Sequence, residues 1–599
     1  MNAAVLRDKL AAGKLKLVSK QVKKSQVWKH FLEVVDVHTL SPVGHVQCKS
    51  CKAFFAYDGG KTGTSHLNRH KCKAADDTAA ITSFFTETKP QVSSTVKGNL
   101  TTACVKWCAK DMRPFDVVCD DGFLKVADEL IAVGAKYGSI SARTVIPHPT
   151  TVSRRVSEVV NELREAVMPE IHSAMKEGRC SMTLDMWTDD YKKVAYITAT
   201  AHYVSVKWEL RSLVLFTSDF PPERKTGENI RKEVVRRSAK LRIDEGMLSN
   251  VVFVTDQGAN MISALRPYAR MSCCAHVLNT VLRNAFDDGY LAEELPDLLE
   301  QLKKVKAVVT LLKQSGLTSQ LPHGVCQEIC TRWNSKLAMI KSVLTQYDAI
   351  ENLLNSRGNL LLEDVNKALL TEVVEFLEPF KEASDKLEQD KVVTLPLVLM
   401  YYTKLKKHLT AASTDSPEVC KLKSRTLEFL QTKMQIGELH KIATFLWPPF
   451  RHLRVLEEQE RKIVHDRVRE LLIDVHLRFP QRETSTDQPD NGPPAKRTFL
   501  DEFKEWHDAV ETQPADSELD SYLRDSDSCE DIEKLLEWWE GQCSKYRGLS
   551  FLARKVLCIP STSASSERNF SAAGYVLQER RTCLKPESLD NLLFLHKNM

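Results

Sequence analysis

Strand-forming sequence is confined to one short window of this 599-residue chain, and that confinement limits what the rest can build. Runs at 181–187, 196–204, 210–216 and 251–255 have strand length and are rich in apolar and β-branched residues. A helical pattern at 226–241 separates the third run from the fourth. Three strands, a helix and a fourth strand fit an α/β layer with a mixed sheet. From Leu291 to about Arg478 strand signals vanish. Leu295, Leu298, Leu299, Leu302, Val305, Val309 and Leu312 recur at helical spacing, so a large all-α block must follow the sheet.

The length suggests about three to five structural units. No apolar run approaches the roughly 20 residues of a membrane span, so no membrane partner is expected. The Lys-rich start lacks the apolar core of a signal peptide. The 16 cysteines are therefore expected to be mostly reduced. A formal charge of +5 hides an uneven distribution. Residues 1–30 carry eight Lys or Arg against one Asp, which suits phosphate contact or nuclear import as well as a solvated tail. Residues 501–540 carry fifteen acids against three bases and read as a solvated face or a mask for basic surface. No Walker loop, dinucleotide fingerprint or serine elbow is present, which removes support for ATP, nicotinamide and acyl chemistry.

Two stretches flank the sheet on its N-terminal side. Cys48-x2-Cys51 forms a knuckle able to give two of the four ligands that tetrahedral zinc requires. His66 and His70, four apart on a helical face, could supply the other two, as could His70 and Cys72. A Ser/Thr-rich linker at 76–99 leads to a helical domain at 100–178. In it, Val105, Cys108, Ala109 and Met112 form one apolar stripe, and Phe123, Val126, Ala127 and Leu130 form another.

Two of the strand runs end in acids, Asp185 and Asp256. A carboxylate at the carboxyl end of a buried strand points into the crevice where an open sheet binds its ligands. Either aspartate alone is more commonly a cap, and Glu567 alone could close a capping box with Ser563 or Ser566. Together the three could hold a pair of divalent cations for phosphodiester cleavage, Mg2+ or Mn2+ being suited to oxygen ligands. Asp189 and Asp190 rival Asp185, which is preferred because it belongs to the apolar strand. Cys273-Cys274-Ala275-His276 lacks a second pair for zinc; it suits packing, with His276 as a donor near phosphate. Trp333, after Arg332, suits either a core or base stacking. The carboxylates read as those of an enzyme that cuts and joins DNA.

In chain order the sequence shows Cys48-x2-Cys51, then Thr64-Ser65-x-Leu67-x-Arg69-His70-Lys71-Cys72, and Arg113-Pro114-Phe115. Asp185-Met186-Trp187-Thr188, Phe253-Val254-Thr255-Asp256-x-Gly258-Ala259-Asn260 and Cys273-x2-His276 follow. Thr331-Arg332-Trp333-Asn334, Trp447-Pro448-Pro449 and Ser566-Glu567-Arg568-x-Phe570-Ser571 complete the series. Nearly everything after residue 25 resembles hAT-superfamily DNA transposases of the Hermes and hobo group.

The resemblance implies a BED-type zinc finger at 25–75, after a basic tail at 1–24, with zinc on Cys48, Cys51, His70 and Cys72 and His66 as a rival ligand. It implies that 100–178 is a helical DNA-binding and dimerisation domain. A ribonuclease-H-like core would span 179–285 and 541–599, the latter within the hAT C-terminal dimerisation region. An all-α insertion would interrupt that core at 286–540, with a disordered loop at 481–500. Asp185, Asp256 and Glu567 would be the metal-binding acidic triad. Cys273, His276, Arg332 and Trp333 would support the active site, Trp333 by stabilising distorted DNA after the first cut. The implied activity is nuclear cut-and-paste transposition by a dimer or larger homo-oligomer. It would act on double-stranded terminal inverted repeats and target DNA, leaving hairpins on the flanks. The competing expectation is a host-recruited DNA-binding regulator or scaffold that keeps the fold without transposing.

Overall fold

The computed structural model describes residues 2–19, 26–57, 67, 70, 92–189, 192–329, 333–478, 517–577 and 584–599. It is mixed α/β, mostly helical, with two compact units, 1–145 and 146–599.

The first unit contains an antiparallel sheet, β1 (Leu15–Val18), β2 (Phe31–Asp36), β3 (Pro42–Cys48) and β4 (Phe54–Ala56), in that spatial order. Residues 2–18, expected as part of a basic tail, fold instead. The helix Ala3–Ala11 and β1 bury Leu6 and Leu15 against Val34. Lys9, Lys14 and Lys16 stay exposed, so the basic character survives on the outside. A second cluster gathers Trp28, Phe31, Val46, Cys48 and Leu67. Further along, the helices Ser94–Asp111 and Asp121–Tyr137 are joined by a stack of Trp107 on Phe123, centroids 5.2 Å apart. The apolar stripes expected there remain largely unburied, with Val105, Met112 and Val126 all exposed.

The second unit opens with a long helix, Pro149–Lys176. Proline sits in its first turn, and the His148 ring accepts the Thr150 N–H as a cap. Gly178, at φ +68°, makes the left-handed turn into β5 that a side chain would resist. A five-stranded sheet follows in the order β7-β6-β5-β8-β9. β5 (Cys180–Thr188), β6 (Ala195–Val204) and β7 (Leu210–Asp219) are antiparallel, while β8 (Val252–Thr255) and β9 (Ala269–Ser272) run parallel to β5.

Met182, Leu184, Ile197, Ala199 and Phe253 pack with Ile171, Met175, Ile230 and Val234 of the helices Pro149–Lys176 and Gly227–Lys240. Each of these side chains larger than alanine contributes about 1.5–3 kcal/mol on burial. The chain leaves the sheet at Cys274 for helices built around one large core, in which Phe376, Phe380, Phe445 and Trp539 are fully buried. No strand interrupts residues 274–557 among the described residues.

The chain then returns to β5. Ser181 Oγ donates to Cys558 O at 3.1 Å, and the helix Ala564–Val576 packs on β5 and β6. Trp187 stacks on Phe570 with centroids 5.9 Å apart. The final helix, Pro586–Asn598, covers β7: Asp590 accepts the Thr217 N–H at 2.6 Å, and Asn598 bonds both backbone groups of Val214. The outer strand is thereby shielded from edge-to-edge pairing. No described helix is long and apolar enough to cross a membrane. The expected loop at 481–500 lies outside the described residues.

Candidate active site

Three backbone segments converge at one end of the five-stranded sheet. Asp185 stands on β5, paired across β6 with Thr198. It is 9% exposed, and its Oδ1 accepts the Met186 N–H at 2.7 Å. Asp256 follows directly on β8, which pairs in parallel with β5 through Thr183 and Val254. Its Oδ1 accepts the Gly258 N–H at 3.2 Å, and a Cβ on Gly258 would sit only 3.3 Å from that oxygen. Arg270 of β9 donates to the Asp256 carbonyl and to Thr255 Oγ1, both at 3.2 Å, fixing the turn from behind. Glu567 lies in the first turn of the helix Ala564–Val576.

Asp256 and Glu567 both act on Asp185. Burial pushes the Asp185 carboxyl up to about 7; the Met186 N–H and His276 oppose that rise, while Asp256 and Glu567 add to it. His276 Nε2 lies 3.8 Å from Glu567 Oε1. The neighbouring Cys273 side chain raises the His276 imidazole most, and despite burial it reaches about 9, with Glu567 and Asp185 contributing. Its buried Nδ1 has no partner among the described residues.

Cys273 is wholly buried. Its N–H closes the end of β8 on Thr255 O at 2.7 Å, and its Sγ accepts the Ser563 N–H at 3.2 Å. Cys274 N–H donates to Ser561 O at 3.0 Å. The Cys-Cys-Ala-His run therefore anchors the segment leading to Glu567 and presents His276 to its carboxylate.

Asp189 is buried and closes a turn, accepting the Lys192 N–H at 2.7 Å. Trp333 begins a helix with its indole buried against Phe380. Arg332, Asp190, His66 and Cys72 lie outside the described residues. In the first unit, Cys48, Cys51 and His70 bring their ligand atoms within 4.8 Å of one another, with Cys51 Sγ 3.2 Å from His70 Nε2. Burial alone would raise the Cys48 thiol, but the N–H groups of Cys51 and Ser50, with the Cys51 and His70 side chains, bring it down to about 6. This is the only group of metal-ligating side chains so tightly gathered among the described residues.

Sequence reasoning missed several neighbours. The Glu388 carboxyl is raised by burial and by Glu567, and Arg568 pairs with Asp390 and donates to Glu388 O. Thr183 bonds Ser565 and Ser566 across the chain. A polar residue two places before Asp185 in a buried strand was the available signal for the last of these.

Comparison with known proteins follows the same geography. Residues 183–276 match the ZBED1 RNase-like domain, 87–151 the Hermes transposase DNA-binding domain, and 518–599 the hAT family C-terminal dimerisation region. The chain is 27% identical to the Hobo transposase of Drosophila melanogaster across 95% of its own length and 92% of that protein. It is 25% identical to Zinc finger protein 618 of Mus musculus across 82% of its length and 50% of that protein. It is 24% identical to the zinc finger BED domain-containing protein RICESLEEPER 3 of Oryza sativa subsp. japonica across 95% of its length and 82% of that protein. These matches, spread along the sequence, make the chain similar to hAT-family transposases.

Proposed function

We propose that the protein is a cut-and-paste DNA transposase, with Asp185, Asp256 and Glu567 holding the divalent cations of strand cleavage and joining. One observation carries the reading: Asp256 and Glu567, from distant parts of the sequence, lie close enough to Asp185 to raise its carboxyl, and His276 faces both Asp185 and Glu567. A folded protein gains nothing from such a cluster unless positive charge is supplied. An all-oxygen donor set suits Mg2+ or Mn2+. When bound, such ions supply Lewis acidity at the scissile phosphate and offset charge on the leaving oxygen.

The chain's own residues set the frame for that chemistry. β5 and β8 fix the two aspartates in hydrogen-bonded register, and Arg270 holds the Asp256 backbone. His276 is placed to donate to a phosphate oxygen beside Glu567. On this reading 179–285 and 541–599 form a ribonuclease-H-like core, and 286–540 are a helical insertion. Residues 100–178 bind DNA and dimerise, with Trp333 available to DNA only if it leaves its buried seat. In the finger, zinc sits on Cys48, Cys51 and His70, with Cys72 or His66 as the fourth ligand; two thiolates and an imidazole fit that ion. Terminal inverted repeats and target DNA are the substrates, flanking ends close as hairpins, and the protein works as a homo-oligomer in the nucleus.

A second reading, a DNA-binding regulator without transposition, is favoured by a likeness, 20% identity across 95% of this chain and 71% of that protein, to a Putative transcriptional regulator tpeD of Talaromyces stipitatus. One assay separates the two. The purified protein is given DNA carrying the sequences that flank its own coding copies, with Mg2+. Wild type should bind and nick, and Asp256→Asn should bind equally and not nick. Nicking by the variant at the wild-type rate would refute the triad; binding without nicking by wild type would favour the regulator.

A further inference from the structure

We infer that Thr183 is a positioning residue for Glu567, its buried hydroxyl fastening β5 to the first turn of the helix that carries the glutamate. The inference rests on the proposed cation-binding role of Asp185, Asp256 and Glu567. Those three acids are not held alike. β5 and β8 pair backbone to backbone, so Asp185 and Asp256 are set by sheet register. Glu567 has no such link. Its helix begins without a side-chain cap at Ser563, and the buried Ser563 Oγ has no partner among the described residues. Beyond the Cys274–Ser561 and Ser563–Cys273 bonds that lead into it, side-chain bonds tie its first turn to the sheet.

Thr183 supplies the densest of them. Ser566 Oγ donates to Thr183 Oγ1 at 3.1 Å, Ser565 Oγ lies 3.1 Å from it, and His202 Nε2 of β6 also lies 3.1 Å away. A hydroxyl gives one hydrogen and accepts two, so three partners use its whole capacity. Thr183 and Ser566 are fully buried, and His202 is 6% exposed. Burial, with Arg568 nearby, lowers the His202 imidazole to about 3, so the hub keeps one protonation state throughout the physiological range.

Geometry makes the hub specific to the glutamate. Thr183 and Asp185 are two apart on one strand and so share a face. Ser566 immediately precedes Glu567. The hydroxyl thus ties the residue next to one acid to the strand position beside another. Thr198 and Thr217 on neighbouring strands, bonded to each other at 2.6 Å, offer no comparable link to that helix.

The test uses the full-length protein with Thr183→Val, which keeps the shape and loses the hydroxyl, and Thr183→Ser, which keeps it. Fe2+ with ascorbate is bound in place of Mg2+ and backbone scission is mapped; nicking in Mg2+ is measured in parallel. Wild type should be cut near 183–187, 254–258 and 565–569. Thr183→Val should retain the first two cuts, lose the third and nick on the order of 100-fold more slowly with DNA binding unchanged. Thr183→Ser should restore both. Ser566→Ala, a milder lesion, should fall between and remains informative if Thr183→Val does not fold. Scission at 565–569 undiminished in Thr183→Val, or in Ser566→Ala where the valine variant does not fold, would overturn the inference while leaving the triad standing. Wild type uncut at all three places would overturn the triad and the inference with it.

Discussion

Cys48, Cys51 and His70 gather within a few turns of chain on a small sheet, whereas Asp185, Asp256 and Glu567 come near one another only with a helical block folded between the second and the third. Their electrostatics are opposite as well. In the finger, backbone N–H groups draw the Cys48 thiol down to about 6, so the ligand is readied as an anion. At the carboxylates, burial and mutual repulsion push Asp185 up to about 7, so the site resists the charge state that a cation requires. On the proposed assignments, the first behaves as a structural centre whose metal would belong to the fold, and the second as a functional centre held under electrostatic strain by the scaffold around it.

The largest effect that would sharpen this contrast is loss of the finger's metal. Structural zinc contributes about 10–16 kcal/mol in small fingers. Chelation or Cys48→Ser should abolish hydrogen-exchange protection in β2, β3 and β4 while leaving β5 to β9 protected; protection that persists in β2–β4 would break the comparison. Next, Asp185→Asn should lower nicking by about 10³-fold yet stabilise the cation-free protein. The sign follows from a carboxyl whose folded pKa, about 7, exceeds its ordinary 3.8. Its ionisation costs stability progressively as pH rises from about 4 to 7, and the cost is constant above that. At 1.36 kcal/mol per unit the gain from the asparagine above pH 7 is up to about 4 kcal/mol. Thermal melts at pH 5 and pH 8 would show it: the variant's advantage should grow with pH and shrink when Mg2+ is added. The smallest effect belongs to Gly258→Ala, whose methyl would crowd Asp256 Oδ1 at 3.3 Å. A shift of a few tenths of an ångström should slow nicking by roughly 3–10-fold with no change in melting temperature.

The strands were legible where side chains announce them. β5, β6, β7 and β8 coincide closely with apolar, β-branched runs, and the helix Gly227–Lys240 falls within the expected 226–241. β9 was not, because Ala-Arg-Met-Ser is four residues of mixed polarity whose pairing comes from β8 rather than from its own pattern. The sheet of the first unit was missed for a related reason. Leu15 and Leu17 are embedded among lysines, and the charge dominated the reading although one leucine is buried. At the candidate site, the acids were visible from strand ends and a helix start. The ties that hold them were not, since Thr183 with Ser566 and Cys273 with Ser563 are long-range pairs that no local periodicity encodes.

The return of residues 558–566 to β5 also orders events in time. On the proposed assignment, a nascent chain on the ribosome can fold its finger and most of its sheet while lacking the last acidic ligand. DNA scission is therefore withheld until synthesis has passed residue 567, and a product broken off earlier would compete for the same DNA without being able to cut it.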